Sequence, residues 1–172
     1  MSKSFWAFLL VGLAAAALLV AVLLYWNRGA HLELKGSILK VRTLATDPAA
    51  TVVIADFRFV NRADYPFVVR KVEVWLEDAA GQAIEGMSVS DVDAKRLFEY
   101  YPALGQKYNP SLLMHEKIAP RASLDRMTAA QFKLSEEQVQ ARKGLRIRIE
   151  DVDGAVSELT ESAAADRFAP QR

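Results

Sequence analysis

The sequence contains no cysteine and only two histidines in 172 residues. The absence of cysteine excludes a disulfide scaffold, a thiolate metal site and a cysteine nucleophile, and it leaves no trace of the redox state of the compartment. His31 and His115 are far apart in the sequence. Because a metal site needs several converging ligands, each histidine is interpreted as a surface residue or as one with local partners.

Neither sign of charge is in excess, because the chain has 22 Lys and Arg and 21 Asp and Glu, with a formal net charge of +1. Nucleic-acid binding requires a basic stripe, so no nucleic-acid partner is expected. The sequence also lacks a G-x-S-x-G elbow, a phosphate-binding glycine loop and a His-Glu-x-x-His motif. We therefore expect a protein that is not an enzyme and that uses neither a cofactor nor a metal.

One segment, residues 150–154, superficially resembles a calcium loop because it reads Glu-Asp-Val-Asp-Gly. An EF-hand needs further ligands and a glutamate about six residues beyond the glycine. Glu158 comes too early for that role, and both flanks have the pattern of strands. Asp153-Gly154 instead predicts a hairpin with a type I′ turn.

A long uncharged run separates Lys3 from Arg28. As a helix rising about 1.5 Å per residue, residues 5–26 reach about 33 Å, enough for a hydrocarbon core of about 30 Å. Aromatic rings favour the membrane interface, and this run carries them at both ends: Phe5 and Trp6, then Tyr25 and Trp26. The pattern predicts a cytoplasmic tail over 1–4 and a transmembrane anchor over 5–26. A cleaved signal peptide would be shorter, and a buried core helix would not be apolar on every face.

The orientation of this anchor is predicted from the charges that flank it. Arg28, Lys35, Lys40 and Arg42 follow the span, and a count of Lys and Arg alone would place them in the cytoplasm. A long domain is translocated with limited regard to charge, so we expect the C-terminal domain to be extracytoplasmic, and periplasmic in a bacterium.

Within the span, small residues offer a way for two helices to pack. Gly12 and Ala16 have the small-x-x-x-small spacing of such contacts, although alanine is so common in such spans that simple filler is the favoured interpretation.

Strand patterns dominate residues 32–160, after a linker over 27–31. In residues 51–61, Val53, Ala55, Phe57 and Phe59 fall on one face, and Asp56 and Arg58 fall on the other as ordinary solvated charges. Similar patterns occupy 31–44, 67–77, 83–84, 128–134, 145–150 and 156–159. About seven strands with turns roughly ten residues apart predict an immunoglobulin- or fibronectin-like antiparallel β-sandwich.

Helix signals interrupt the strands at two places. Ser90 predicts the cap of a helix over 91–100, whose inner side would carry Val92, Leu97 and Phe98. Ser135 opens an S-x-x-Q capping box, which predicts a helical turn or two ending near Lys143. The first helix belongs to an insertion over 88–120, and the Ala-rich tail over 161–172 is expected to be frayed.

A family resemblance covers part of this domain. The stretch TVVIADFRFVNRADYPFVVRKVEVWLEDAAGQAIEG, residues 51–86, resembles the first half of the type-2 late-embryogenesis-abundant fold, also called the water-stress and hypersensitive-response domain. Asn61 matches the turn asparagine of that family, while Arg62 replaces its proline. The resemblance extends over 32–87 and more loosely over 120–160, but not over the insertion. It implies an immunoglobulin-like sandwich without catalytic residues, often anchored by an N-terminal helix and linked to stress or interaction roles.

The insertion is rich in aromatic and basic residues. One interpretation is that its helix caps the sandwich and buries the rings; the other is an exposed patch that docks a partner protein or lipid headgroups, since Tyr and Arg are enriched in interfaces. The residues of this predicted patch are Lys95, Arg96, Phe98, Tyr100, Tyr101, Lys107 and Tyr108.

Three functions remain open from the sequence. The first is a non-enzymatic structural or interaction protein of the cell envelope, with a possible link to stress. The second is an accessory subunit of an envelope secretion, pilus or transport assembly. The third is a binder of lipid or of a small apolar ligand, which requires a cavity between the sheets. A packed core would fill that space; its expected members are Val53, Phe57, Phe59, Val72, Val74 and Ile147.

Overall fold

The computed structural model describes residues 12–22 and 33–161, and the chain divides into two compact units, Met1–His31 and Leu32–Arg172. In the first unit residues 12–22 are helical (α1), and they include Gly12 and Ala16. No helix within the described residues is both long and apolar enough to cross a membrane. The four aromatic residues of the predicted anchor lie outside the described residues: Phe5, Trp6, Tyr25 and Trp26.

The described part of the second unit, residues 33–161, is mainly β. Its strands are Leu34–Asp47 (β1), Ala50–Asn61 (β2), Phe67–Glu77 (β3), Ala83–Glu85 (β4), Met87–Ser88 (β5), Lys117–Ile118 (β6), Ser123–Phe132 (β7), Gly144–Asp151 (β8) and Val156–Thr160 (β9). The helices are Asp91–Tyr100 (α2) and Glu136–Gln140 (α3), with a 3-10 turn at Pro102–Leu104. The nine strands of the described residues exceed the predicted seven because β5 and β6 are additional two-residue pairings.

The strands form two antiparallel sheets. The first sheet has the order β1-β2-β7-β5, and the second has the order β4-β3-β8-β9, with β6 also paired to β3. Alternation in β2 turns Phe57 and Phe59 inward, where they meet Val74 of β3 and Ile147 of β8 in one buried cluster. A single core between two sheets makes the fold sandwich-like, as predicted.

Local signals in the sequence account for several element ends. Ser90 caps α2 by accepting a hydrogen bond from the Asp93 amide, and Ser135 and Gln138 form the predicted capping box of α3. α3 ends at Gln140, before the predicted Lys143, whose amide donates instead to the Glu77 carbonyl.

Asn61 closes the turn between β2 and β3. Its side chain accepts from the Ala63 amide at 3.0 Å and donates to the Tyr65 carbonyl at 2.9 Å, and the residue is fully buried. An asparagine suits this place because its amide can satisfy the backbone of a turn that the sheets bury.

One predicted strand boundary and one predicted turn type are wrong. β7 begins at Ser123, not at 128, because its first half pairs with the second half of β2, with Val60 opposite Ser123. The β8–β9 hairpin is present, but only Gly154 in its turn has a positive φ, at 86°. A type I′ turn needs two such residues, whereas one glycine after a type I turn suffices for this longer loop.

Glu161, the first residue of the tail that was expected to fray, is held in place. It forms a parallel bridge with Ile38 of β1, and its carboxylate accepts from Arg142 Nη2 at 2.6 Å. Residues 162–172 lie outside the described residues. Nearby, the Leu34 amide donates to Ser157 Oγ at 2.7 Å, so β1 meets β9 along one side of the two sheets.

Candidate functional site

The first part of the insertion, residues 91–109, lies on the outer face of the first sheet, whereas Lys117–Ile118 (β6) pairs with β3 of the second sheet. Ala94 of α2 and Leu104 of the 3-10 turn are buried there against Val52 and Ile54 of β2. The helix therefore covers a sheet face instead of an open end of the sandwich. Leu97 and Phe98 join Ala94 on the inner side of the helix, whereas Val92, predicted on that side, is 60% exposed.

The sequence contains a signal for this second layer. Residues 52–55 read Val-Val-Ile-Ala, an unbroken apolar run and not an alternation. Such runs belong to strands that are covered on both faces. The alternation that begins at Asp56 hides this signal when the strand is read as half-buried.

A buried ion pair joins the first sheet to the insertion. Arg42 of β1 and Asp56 of β2 pair at 2.5 Å between Nη2 and Oδ2, with side chains only 8% and 5% exposed. Asn109 donates to the other carboxylate oxygen of Asp56 at 2.9 Å. The prediction that Asp56 is a solvated charge is wrong, because the insertion removes it from water. The prediction for Arg58 is confirmed, since its side chain is 59% exposed and pairs with the surface residue Asp125.

Arg42 also holds the backbone of the insertion. Its Nη1 donates to the carbonyl oxygens of Leu104 and Gln106, both at 2.9 Å. The guanidinium carbon lies 4.8 Å from the centre of the Phe98 ring, within the range of a cation–π contact. Arg42 Nε is buried without a hydrogen-bond partner among the described residues, which adds to the desolvation of this cation. One guanidinium thus fastens the helix, the 3-10 turn and the following loop to the sheet.

A second fastening lies at the start of α2. Asp91 accepts from Lys107 Nζ at 2.7 Å and from Ser111 Oγ at 2.5 Å. These hydrogen bonds, that of Lys107 first, hold the pKa of the Asp91 carboxyl below its usual value. The negative charge is also favoured at the N-terminus of a helix. Two residues of the loop that follows the 3-10 turn are therefore bound to the first residue of α2.

The predicted patch divides into inner and outer residues. Phe98 faces inward over Arg42, and Lys107 is partly buried in its pair with Asp91. The rings of Tyr100, Tyr101 and Tyr108 are 77%, 41% and 66% exposed. One aromatic of the predicted patch is therefore used for packing, and three are exposed.

The cations of the patch are less uniform than the sequence suggests. Lys95 is exposed, and Arg96 is exposed beside Asp93, with 3.5 Å between Nη1 and Oδ1. The Tyr108 ring lies 5.8 Å from Lys40 Nζ and 5.9 Å from the Arg42 guanidinium carbon. Lys40 and Arg42 were not predicted at this surface, because only the pairing of β1 with β2 brings them under the insertion.

Two clefts border the insertion. One of about 460 Å³ lies between α2 and the β5–β7 edge, and Met87, Leu97, Tyr100 and Gln131 contribute to its walls. The other, of about 740 Å³, is lined by Phe98, Tyr108 and their neighbours in the loop. Both are open surface grooves and lie outside the core.

The interior between the sheets contains the residues expected to fill it. Val53, Phe57, Phe59, Val74 and Ile147 are at most 3% exposed and form one cluster, with Val72 packed against it. Within residues 12–22 and 33–161, no three His, Asp or Glu side chains lie close enough together to hold a metal ion. His115 is exposed in a loop.

Comparison with known proteins adds no relative: no family model, no curated protein and no solved structure matches this chain.

Proposed function

We propose that this protein is a membrane-anchored, non-enzymatic interaction protein of the cell envelope, and that the insertion over 88–120 is its docking surface. The run over 5–26 supplies the anchor in this proposal, with the β domain on the extracytoplasmic side. The partner is another envelope protein, such as a component of a secretion, pilus or transport assembly.

The observation that carries the proposal is the exposure of tyrosines on a segment that is firmly fastened. Tyr100 and Tyr108 are 77% and 66% exposed, and the segment around them is held by Arg42 through its backbone and by Asp91 through the Lys107 and Ser111 side chains. Tyrosine is enriched in interface hot spots because a large ring contributes contact area with few rotatable bonds. A fastened loop also loses little conformational entropy when a partner binds.

The family resemblance fits the same proposal. The buried Asn61 caps a turn, as the resemblance to the type-2 late-embryogenesis-abundant fold implies, and the two sheets are compatible with an immunoglobulin- or fibronectin-like sandwich. A stress-related role is the part of the proposal that depends on this resemblance alone. A lipid or small-ligand binder is less favoured, because bulky side chains such as Phe57 occupy the core.

The test is affinity purification of the full-length protein from crosslinked membranes. The variant Tyr100→Ser with Tyr108→Ser removes two exposed rings and leaves intact the hydrogen bonds by which Arg42 and Asp91 hold the insertion. Val156→Ser, an exposed apolar position on the second sheet, is the matched control. A partner that is recovered in stoichiometric amount with the native and control proteins, and lost with the tyrosine variant, supports the proposal. Identical recovery with all three proteins refutes docking through the insertion, provided that thermal unfolding shows each to be folded.

A further inference from the structure

The chain enters the β domain at an identifiable end of the two sheets. Leu34, the first residue of β1, pairs with Asn61, the last residue of β2. The β2–β3 turn, the start of β3 and the β8–β9 turn lie at this same end, since Val69 of β3 pairs with Asp151 of β8. We call it the entry end. The opposite end carries the β1–β2 and β3–β4 turns.

The entry end is covalently limited in its distance from the proposed anchor. The eight steps from Trp26 to Leu34 span at most about 29 Å when fully extended. If residues 5–26 cross a bilayer, as the proposed function holds, the start of β1 stays within that distance of the lipid headgroups. This end of the domain is therefore the one whose distance from the membrane the chain limits most tightly.

Exposed apolar side chains flank the start of β3 at this end. Leu113 and Met114 are 51% and 66% exposed, and Val152 is 45% exposed. Backbone hydrogen bonds place them on the two sides of one strand: the His115 amide donates to the Val69 carbonyl at 2.6 Å, and the Val152 amide donates to the Val68 carbonyl at 3.0 Å. Neighbouring exposed apolar groups of this kind are typical of contact surfaces.

The turn that presents Leu113 and Met114 is held in an unfavourable backbone conformation. His115 has a φ of 62°, a left-handed value that is uncommon for a residue with a side chain. Glu116 stabilises the turn, because its carboxylate accepts from the Leu113 amide at 3.2 Å and from Arg126 Nη2 at 2.6 Å. The two apolar side chains are thus projected by a well-anchored turn and not by a loose loop.

Cations lie at the same end of the domain, which also carries the exposed carboxylates of Asp153 and of Asp64, the latter paired with Arg121. Arg62 in the β2–β3 turn and Lys117 in β6 are exposed, and neither forms an ion pair within the described residues. Exposed apolar side chains and exposed cations at one end of a domain match the interface of a bilayer. There the apolar side chains enter the acyl boundary, and the cations contact lipid phosphates.

We propose that the entry end rests on the bilayer, with Leu113, Met114 and Val152 in the interfacial layer and Arg62 and Lys117 at lipid phosphates. The inference rests on the proposed anchoring but goes beyond it, because an anchor alone leaves the domain free to stand off from the lipid. A bilayer is favoured over a protein as the occupant because the chain itself holds this end near the membrane. Contact of this kind would also fix the direction in which Tyr100 and Tyr108 face.

The absence of cysteine makes a direct test possible in the full-length protein. Single-cysteine variants Met114→Cys and Val152→Cys carry an environment-sensitive fluorophore, and the protein is reconstituted in vesicles of phosphatidylcholine and phosphatidylglycerol. Ala80→Cys, in the exposed β3–β4 turn at the opposite end, is the matched control. Lipids with spin labels near the headgroup are then added as quenchers. In the Val152→Cys protein, Met114→Asp tests whether the two positions belong to one surface.

The expected result is loss of fluorescence at positions 114 and 152 and none at position 80, with Met114→Asp abolishing the loss at position 152. Unquenched fluorescence at both test positions, in protein that stays in the vesicles after alkaline carbonate extraction, overturns the membrane-facing end and leaves the anchor intact. Release of the protein by carbonate refutes the anchor itself. Equal quenching at position 80 also overturns the proposal, because the label would then be responsible for the contact with lipid.

Discussion

Removal of the Asp56 carboxylate tests the buried pair on which the insertion depends. In Asp56→Ala, the Arg42 guanidinium keeps its place under the insertion, with a side chain only 8% exposed, but loses its counter-charge. Asn109 loses its acceptor in the same step. Leaving one charge of a buried pair without its partner costs about 3–5 kcal/mol. For a domain of this size, a loss of that order lowers Tm by about 11–18 °C.

The assay is thermal and urea unfolding of the full-length protein in detergent, followed by near-ultraviolet circular dichroism. Asp125→Ala is the matched control, because it also breaks an arginine–aspartate pair, but on the exposed surface at Arg58. Solvent and salt screen that pair, so little change is expected. The double variant Arg42→Met with Asp56→Leu should recover only the part of the loss that comes from the unpaired charge, because the apolar pair needs no counter-charge but also lacks the hydrogen bonds of Arg42 to Leu104 and Gln106. Equal, small effects of Asp56→Ala and Asp125→Ala would refute burial of Arg42 by the insertion.

Two further predictions concern close packing and pH. Gly36→Ala should destabilise the domain by about 3 kcal/mol or more in urea unfolding, because its Cβ would lie 2.0 Å from a backbone carbonyl oxygen of β2. Gly144→Ala, with no atom within 4 Å of its Cβ, should change little, and a similar loss in both would contradict the reasoning. The lowered pKa of Asp91 contributes stability that is complete above the ordinary carboxyl pKa and is lost as the pH falls through the lowered value. Asp91→Asn should therefore lower stability at pH 7 and flatten the fall in stability on acidification below the ordinary carboxyl pKa, and an unchanged pH profile would exclude the binding of Asp91 by Lys107 and Ser111.

The difference between Asp56 and Arg58 shows where reading of the sequence fails. Both lie on the same face of β2 and look alike in an alternating pattern. In the folded domain Asp56 is covered by residues about fifty positions further along the chain, whereas Arg58 remains at the surface. No local pattern encodes this difference, because it depends on where a distant segment crosses the sheet.

The insertion shows which features of a helix the local sequence does predict. The limits of α2 were predicted from Ser90 and from Pro102, because capping and helix termination depend on neighbouring residues. The spacing also predicted Leu97 and Phe98 on the inner side of the helix, but it placed Val92 there too and left the direction of the Tyr100 ring open. Phe98 contacts Arg42, and Tyr100 faces solvent, although both lie on one short helix with similar hydrophobicity.

The sequence by itself determined what depends on short-range chemistry: the alternation that makes strands, the serine caps, the asparagine turn and the mainly β class. It also supplied the expectation of an anchor, which rests on the length and apolarity of residues 5–26. Only the tertiary structure decided what depends on distant segments meeting. It placed the insertion on the outer face of the first sheet, buried Arg42 with Asp56, left Tyr100 and Tyr108 in solvent and brought Met114 and Val152 to one end. Burial is a property of the whole fold, because a side chain is removed from water only where other segments of the chain pack over it.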